Sequence, residues 1–158
     1  MTEIERITDQ LERAFRGEAW HGPSVRQILS GVNCSAANTL PMKGVHTIWE
    51  IVLHMIVWMR LTVHALDGDS MPADPLPDQD WPEVEEAEED EWAETMDDLV
   101  ETHNLLIDRV SGLTDDDLMK IVPGRDFSWY ILIHGIVQHN LYHAGQIAII
   151  KSSLLKRN

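Results

Sequence analysis

The sequence predicts an all-α fold: a four-helix bundle with a long crossover between its second and third main helices. Three observations lead there. Apolar residues recur at three- and four-residue intervals in four long segments. No segment shows the strict alternation of a half-buried strand. Finally, Pro72, Pro75, Pro77 and Pro82 crowd residues 67–82, which therefore cannot be regular helix throughout. The full length of 158 residues suits one helical domain with a sizeable core.

The first helix is expected from about Thr2, with Ile4, Ile7, Leu11 and Phe15 forming an amphipathic stripe that runs out near Gly17. Pro23-Ser24 opens a short piece from Val25 to Leu29, closed by Gly31. The second main helix begins near Thr47 and ends near Leu66, before Gly68. The proline-rich segment then reads as a surface crossover, which allows the helices on either side to run parallel. The acidic run Glu83–Glu94 leads into a third helix on which Trp92, Met96, Leu99, Leu106 and Val110 can face inward. A capped turn at Thr114–Leu118 follows. Asp126-Phe-Ser128 then starts the last helix, which continues to about Leu155. The second and last helices are apolar around most of their circumference, where a surface helix needs one stripe. Both are expected to be central to the bundle or to form a subunit interface, so a homodimer is anticipated.

Composition narrows the partners. A share of 44% hydrophobic and 25% charged residues is that of an ordinary soluble globular protein. The net charge of −15 argues against nucleic acid, whose binding needs a basic face, and against anionic membranes. The two longest apolar stretches are interrupted by polar residues, which speaks against a membrane span. The polar, acidic start Met1–Arg6 is unlike a secretory peptide, and a lone cysteine, Cys34, forms no intramolecular disulfide. A cytoplasmic location is the expectation. Cys34 has no basic neighbour in sequence, so an inert thiol is expected.

The eight histidines carry the functional information. His139 and His143 are four residues apart on one helix, so their rings project from one face about 40° apart. That spacing lets two imidazoles grip one metal ion. The zinc-protease version needs a glutamate directly after the first histidine, and Asn140 stands there instead. His54 lies within Ile51–Trp58, where no solvated face exists, and a buried imidazole needs partners or a metal. A shared ion between two facing helices answers both needs. His21, His46, His64, His103 and His134 read as structural or surface groups.

Three stretches give a resemblance: Ala19-Trp-His-Gly-Pro-Ser24, His46-Thr-Ile-Trp-Glu-Ile-Val-Leu-His54, and Gln138-His-Asn-Leu-Tyr-His-Ala-Gly-Gln-Ile147. In this order and spacing the chain resembles the DinB-like superfamily, which also contains the YfiT-type bacillithiol S-transferases. The resemblance implies a four-helix bundle, often dimeric, that binds a divalent metal through three histidines. By position these are His54, His139 and His143.

Three neutral imidazoles leave an ion its full double charge and at least one open position, the catalytic arrangement. Zinc or nickel suits such ligands; manganese or iron more often recruits a carboxylate. Glu50, one turn before His54, reads as a ligand, a base, an orienting group or a residue serving the helix dipole. Gln146, three residues after His143, could bond a metal-bound molecule or join a polar network. The leading expectation is a metal-dependent transferase that joins a low-molecular-weight thiol to a small electrophilic substrate. The alternatives are a metal-dependent hydrolase and a non-catalytic metal-binding dimer acting in stress response.

Overall fold

The computed structural model describes residues 1–84 and 87–155. Among the described residues seven α-helices follow one another: α1 (Glu3–Arg16), α2 (Val25–Leu29), α3 (Cys34–Ala37), α4 (Ile48–Leu66), α5 (Pro77–Asp80), α6 (Glu89–Ser111) and α7 (Trp129–Leu155). Among the described residues there is no β-strand, only an isolated bridge between Ile121 and Ser128. The fold is all-α, as the periodicity requires.

The helices begin where local chemistry starts them. Thr2, Ser24 and Thr47 each accept a hydrogen bond from a backbone N–H three residues on, and Glu5, Gln27 and Glu50 reach back to the capping residue's own N–H. These reciprocal capping boxes satisfy N–H groups that the helices leave unpaired. The short α3 was not expected; Asn33 caps it by accepting from Ala36 N at 2.9 Å. It carries Cys34 into the core, where burial, and then the charges of Glu89, Glu88 and Glu91, raise its pKa.

The four long helices form the bundle. α4 and α1 each pack against both α6 and α7, which places α1 and α4 on one diagonal and α6 and α7 on the other. α4 meets the length and apolarity of a membrane span, but most of its length is buried between its neighbours. Its apolar circumference is thus explained by its central position. α7 differs: Ile131, Tyr142 and Ile149 remain 56%, 66% and 72% exposed on its outer side.

The crossover is more ordered than its prolines suggest. Pro77 occupies the first turn of α5, where a missing N–H costs nothing, so a helical turn forms inside a segment expected to be irregular. The segment continues past Pro82 to the start of α6 at Glu89, and Glu85 and Glu86 of the acidic run lie outside the described residues. Its first half is anchored on the loop before α7. Met71 N donates to Pro123 O at 2.8 Å, and Arg125 donates to the carbonyls of Pro72 and Ala73 at 2.6 and 2.7 Å. Gly124 has φ +80, and a side chain there would collide with the Met71 carbonyl. This anchoring brings α5 back over the middle of α4.

Candidate metal centre

His54 sits at the middle of α4, and His139 and His143 sit one turn apart on the facing stretch of α7. The packing of the two helices turns all three rings inward. The His139 Nε2 lies 3.0 Å from His54 Nε2 and 3.1 Å from His143 Nε2. Ligand atoms of the three residues all fall within 4.8 Å of one another. Nitrogens around a tetrahedral zinc with bonds of 2.0–2.1 Å stand about 3.3 Å apart, so the cluster is close to ligand spacing.

Hydrogen bonding on the outer side of the rings shows why these nitrogens suit a cation. His54 Nδ1 lies 2.8 Å from the Asp80 carbonyl, which can only accept, so the proton resides on Nδ1 and Nε2 presents a lone pair. His143 Nδ1 donates to Gln146 Oε1 at 2.7 Å, which likewise frees its Nε2. Two lone pairs therefore converge on His139 Nε2, and that nitrogen offers at most one proton between them. A cation at the centre satisfies all three nitrogens, which a proton cannot do. The His139 Nδ1 is buried without a hydrogen-bond partner, so that ring is oriented by packing and by the contacts of its Nε2.

Burial lowers the pKa of all three histidines. In His54 it outweighs the opposing effect of Asp80, and in His143 that of Gln146. In His139 the charges of His143 and His54 add to it, and the value falls to about 3. The rings are neutral near pH 7, the form that ligates metal.

The crossover supplies a second layer that sequence reasoning did not assign. The Asp80 carboxylate accepts from Trp58 Nε1 at 2.8 Å and lies 3.1 Å from His54 Nδ1, on the side of the ring away from the cluster. The Trp81 indole is stacked between His54 and His46, with ring centroids 3.9 and 3.7 Å away and planes within 7° of parallel. His46, read from sequence as a structural or surface group, is thus coupled to the centre through Trp81. An aromatic residue in an otherwise polar, proline-rich segment was the available signal.

The remaining expected site residues are placed as follows. Gln146 bonds His143 directly. The Glu50 carboxylate accepts from Thr47 N at 2.7 Å and stands 3.4 Å from His46 Nδ1, so it serves the helix cap beside His46. Among the described residues, the grouping of potential metal ligands contains no carboxylate. His21 and His64 are exposed, His134 is half-buried beside Tyr130, and His103 is buried against α1.

The sequence profile of the DinB superfamily matches residues 19–147, a span that includes all three histidines. The chain belongs to the DinB superfamily. Searches of curated proteins and of solved structures found no match. Superfamily membership, the helical fold and the trihistidine cluster together support a site for a divalent metal.

Proposed function

We propose that this DinB-superfamily protein is a divalent-metal-dependent transferase that joins a thiol to a small electrophile. The observation that carries the metal half is the convergence of two proton-free imidazole nitrogens on a third. The thiol half rests on the resemblance to the YfiT-type S-transferases within the superfamily. Zinc or nickel fits the all-nitrogen donor set better than manganese or iron.

A divalent ion held here would supply a Lewis acid with an open position, able to lower the pKa of a thiol or a water. The chain's own residues do the rest. His54, His139 and His143 would hold the ion as neutral ligands and would leave its charge uncompensated. The Asp80 carbonyl and Gln146 fix the tautomers of His54 and His143 and the directions of their rings. Trp81 covers one face of His54 and keeps water from it. In the reaction the thiol gives its proton to solvent and its sulfur forms a bond to the electrophilic carbon. The leaving group departs with the bonding pair.

The test is consumption of chlorodinitrobenzene by metal-loaded protein, with and without added thiol. Thiol-dependent turnover that disappears in His139→Ala supports the proposal. Hydrolysis of p-nitrophenyl acetate without thiol, lost in the same variant, would replace it with the hydrolase reading. Neither activity under full metal occupancy would leave the non-catalytic reading.

A further inference from the structure

The trihistidine cluster forms one wall of a cavity of about 510 Å³ between α4, α5 and α7. Its other walls are aromatic and aliphatic, with Trp58, Phe127, Ile131, Ile136 and Tyr142 among them. In a chain of net charge −15, Asp80 is the only charged side chain among the described residues of this lining, and it is engaged by Trp58 and His54. Among the described residues, no lysine or arginine lines the cavity. Arg125, whose guanidinium lies over the Phe127 ring, is bonded to the Pro72 and Ala73 carbonyls. An anionic ligand would find no counter-charge here apart from the metal centre, and burying its charge against these rings would be costly.

Gly135 points to the same conclusion from the backbone. It stands in the interior of α7, where glycine costs roughly 1 kcal/mol relative to alanine. A Cβ at this position would meet nothing within 4 Å, so packing does not demand a glycine. What the missing side chain leaves is room in the cavity wall one turn from His139.

A second cavity of about 470 Å³ opens on the other side of Trp81 and shares His143 and Tyr142 with the first. It carries hydrogen-bonding side chains that the first lacks: His46, Gln146 and Ser153. The second cavity is itself mostly apolar, with Pro41, Met42, Val45 and Ile149 in its lining, so the centre can be approached from two sides that differ in where their few polar groups stand.

We propose that the cavity lined by Trp58, Phe127 and Gly135 is the binding site for an uncharged, apolar molecule. It is the electrophile's subsite, with the cavity beside His46, Gln146 and Ser153 left to the co-substrate. The assignment as an electrophile's subsite rests on the transferase reading, whereas the preference for neutral apolar ligands rests on the lining alone.

The experiment uses two fluorophores that differ by one sulfonate, N-phenylnaphthylamine and anilinonaphthalene sulfonate. Each is titrated into the full-length protein without thiol, metal-free and zinc-loaded. The neutral probe is expected to bind one to one, and the sulfonate about tenfold or more weaker to the metal-free protein, where no counter-charge offsets the cost of desolvating it. Gly135→Leu places its Cβ in open space and its branch toward the cavity, and should weaken the neutral probe about tenfold while leaving the unfolding midpoint unchanged or higher. Gly145→Leu, at the other α7 glycine with open space around it and outside both linings, should bind as the unsubstituted protein does. Equal binding of the two probes to the metal-free protein overturns the proposal, as does unchanged binding in Gly135→Leu. Binding that appears only on dilution means a second copy covers the cavity, and overturns it too. A protein that binds the neutral probe as expected yet never consumes chlorodinitrobenzene supports the cavity and sinks the transferase reading alone.

Discussion

Replacing His103 with leucine is expected to remove about 2 kcal/mol of acid sensitivity from the folded state. His103 lies on α6 with no solvent exposure, its ring stacked on Phe15 of α1 with centroids 3.8 Å apart. Neither ring nitrogen has a hydrogen-bond partner. The charged groups facing it are Glu12, 3.8 Å from Nε2, and Arg16, which bonds Glu12 at 2.6 Å. Burial, and then the charge of Arg16, push the pKa from 6.5 down to about 3. Because the folded value lies below the unfolded one, the unfolded chain takes up the proton first. Stability therefore falls as pH drops below 6.5 and stops falling, for this group, once the folded ring protonates near 3. At about pH 5 the ring is roughly 1.5 units below its unfolded pKa, and at about 1.36 kcal/mol per unit the loss relative to pH 7.5 is about 2 kcal/mol. The three site histidines act in the same direction in metal-free protein, so the informative quantity is the difference between the unsubstituted chain and the variant. Urea unfolding followed by circular dichroism at the two pH values measures it on metal-free samples. Leucine matches the imidazole side chain roughly in size and needs no polar partner, so the variant should fold. An equal loss of stability in both proteins on acidification would refute the reasoning.

Four further outcomes are expected. Alanine at His54, His139 or His143 should remove most bound metal after dialysis, as read by elemental analysis, while His103→Leu keeps it. Metal that survives the His139/His143 double substitution would overturn the site. Gln146→Leu retains all three ligands but leaves His143 Nδ1 without its acceptor, and should weaken metal binding about 10- to 100-fold in a chelator competition; unchanged affinity would show that Gln146 does not orient the ring. Saturating metal should raise stability by about 2.7 kcal/mol at a free concentration of about 100 times Kd, a rise absent from His139→Ala; an equal rise in both would place the ion elsewhere. We also expect a homodimer formed through the strongly apolar α4 or α7. Light scattering should give twice 18.0 kDa, whereas an 18.0 kDa species at micromolar concentration would count against it.

Much of the fold was legible because helices are encoded locally. The stripe from Ile4 to Phe15, the helix starts near Thr2, Ser24 and Thr47, and the apolar circumference of α4 are each readable within a few turns of chain. The pairing of His139 with His143 follows from helical geometry alone, and the lack of a polar face around His54 marks it as a residue needing a partner. Resemblance to the superfamily selected the same three residues. None of these signals required knowledge of which helices touch.

What the sequence could not determine is everything the crossover does. Asp80 and Trp81 are 26 and 27 positions from His54, in a segment whose prolines forbid the periodicity that sequence reading depends on. Their place over the centre is set by the Met71–Pro123 and Arg125–Pro72 hydrogen bonds and by the close approach at Gly124, contacts between residues about 50 apart. Only the tertiary structure stacks Trp81 between His46 and His54, and only it shows that Glu50 serves a cap while a backbone carbonyl orients the ligand. A helical face is decided by neighbours three and four residues away, whereas the path of an irregular segment is decided by whatever it packs against.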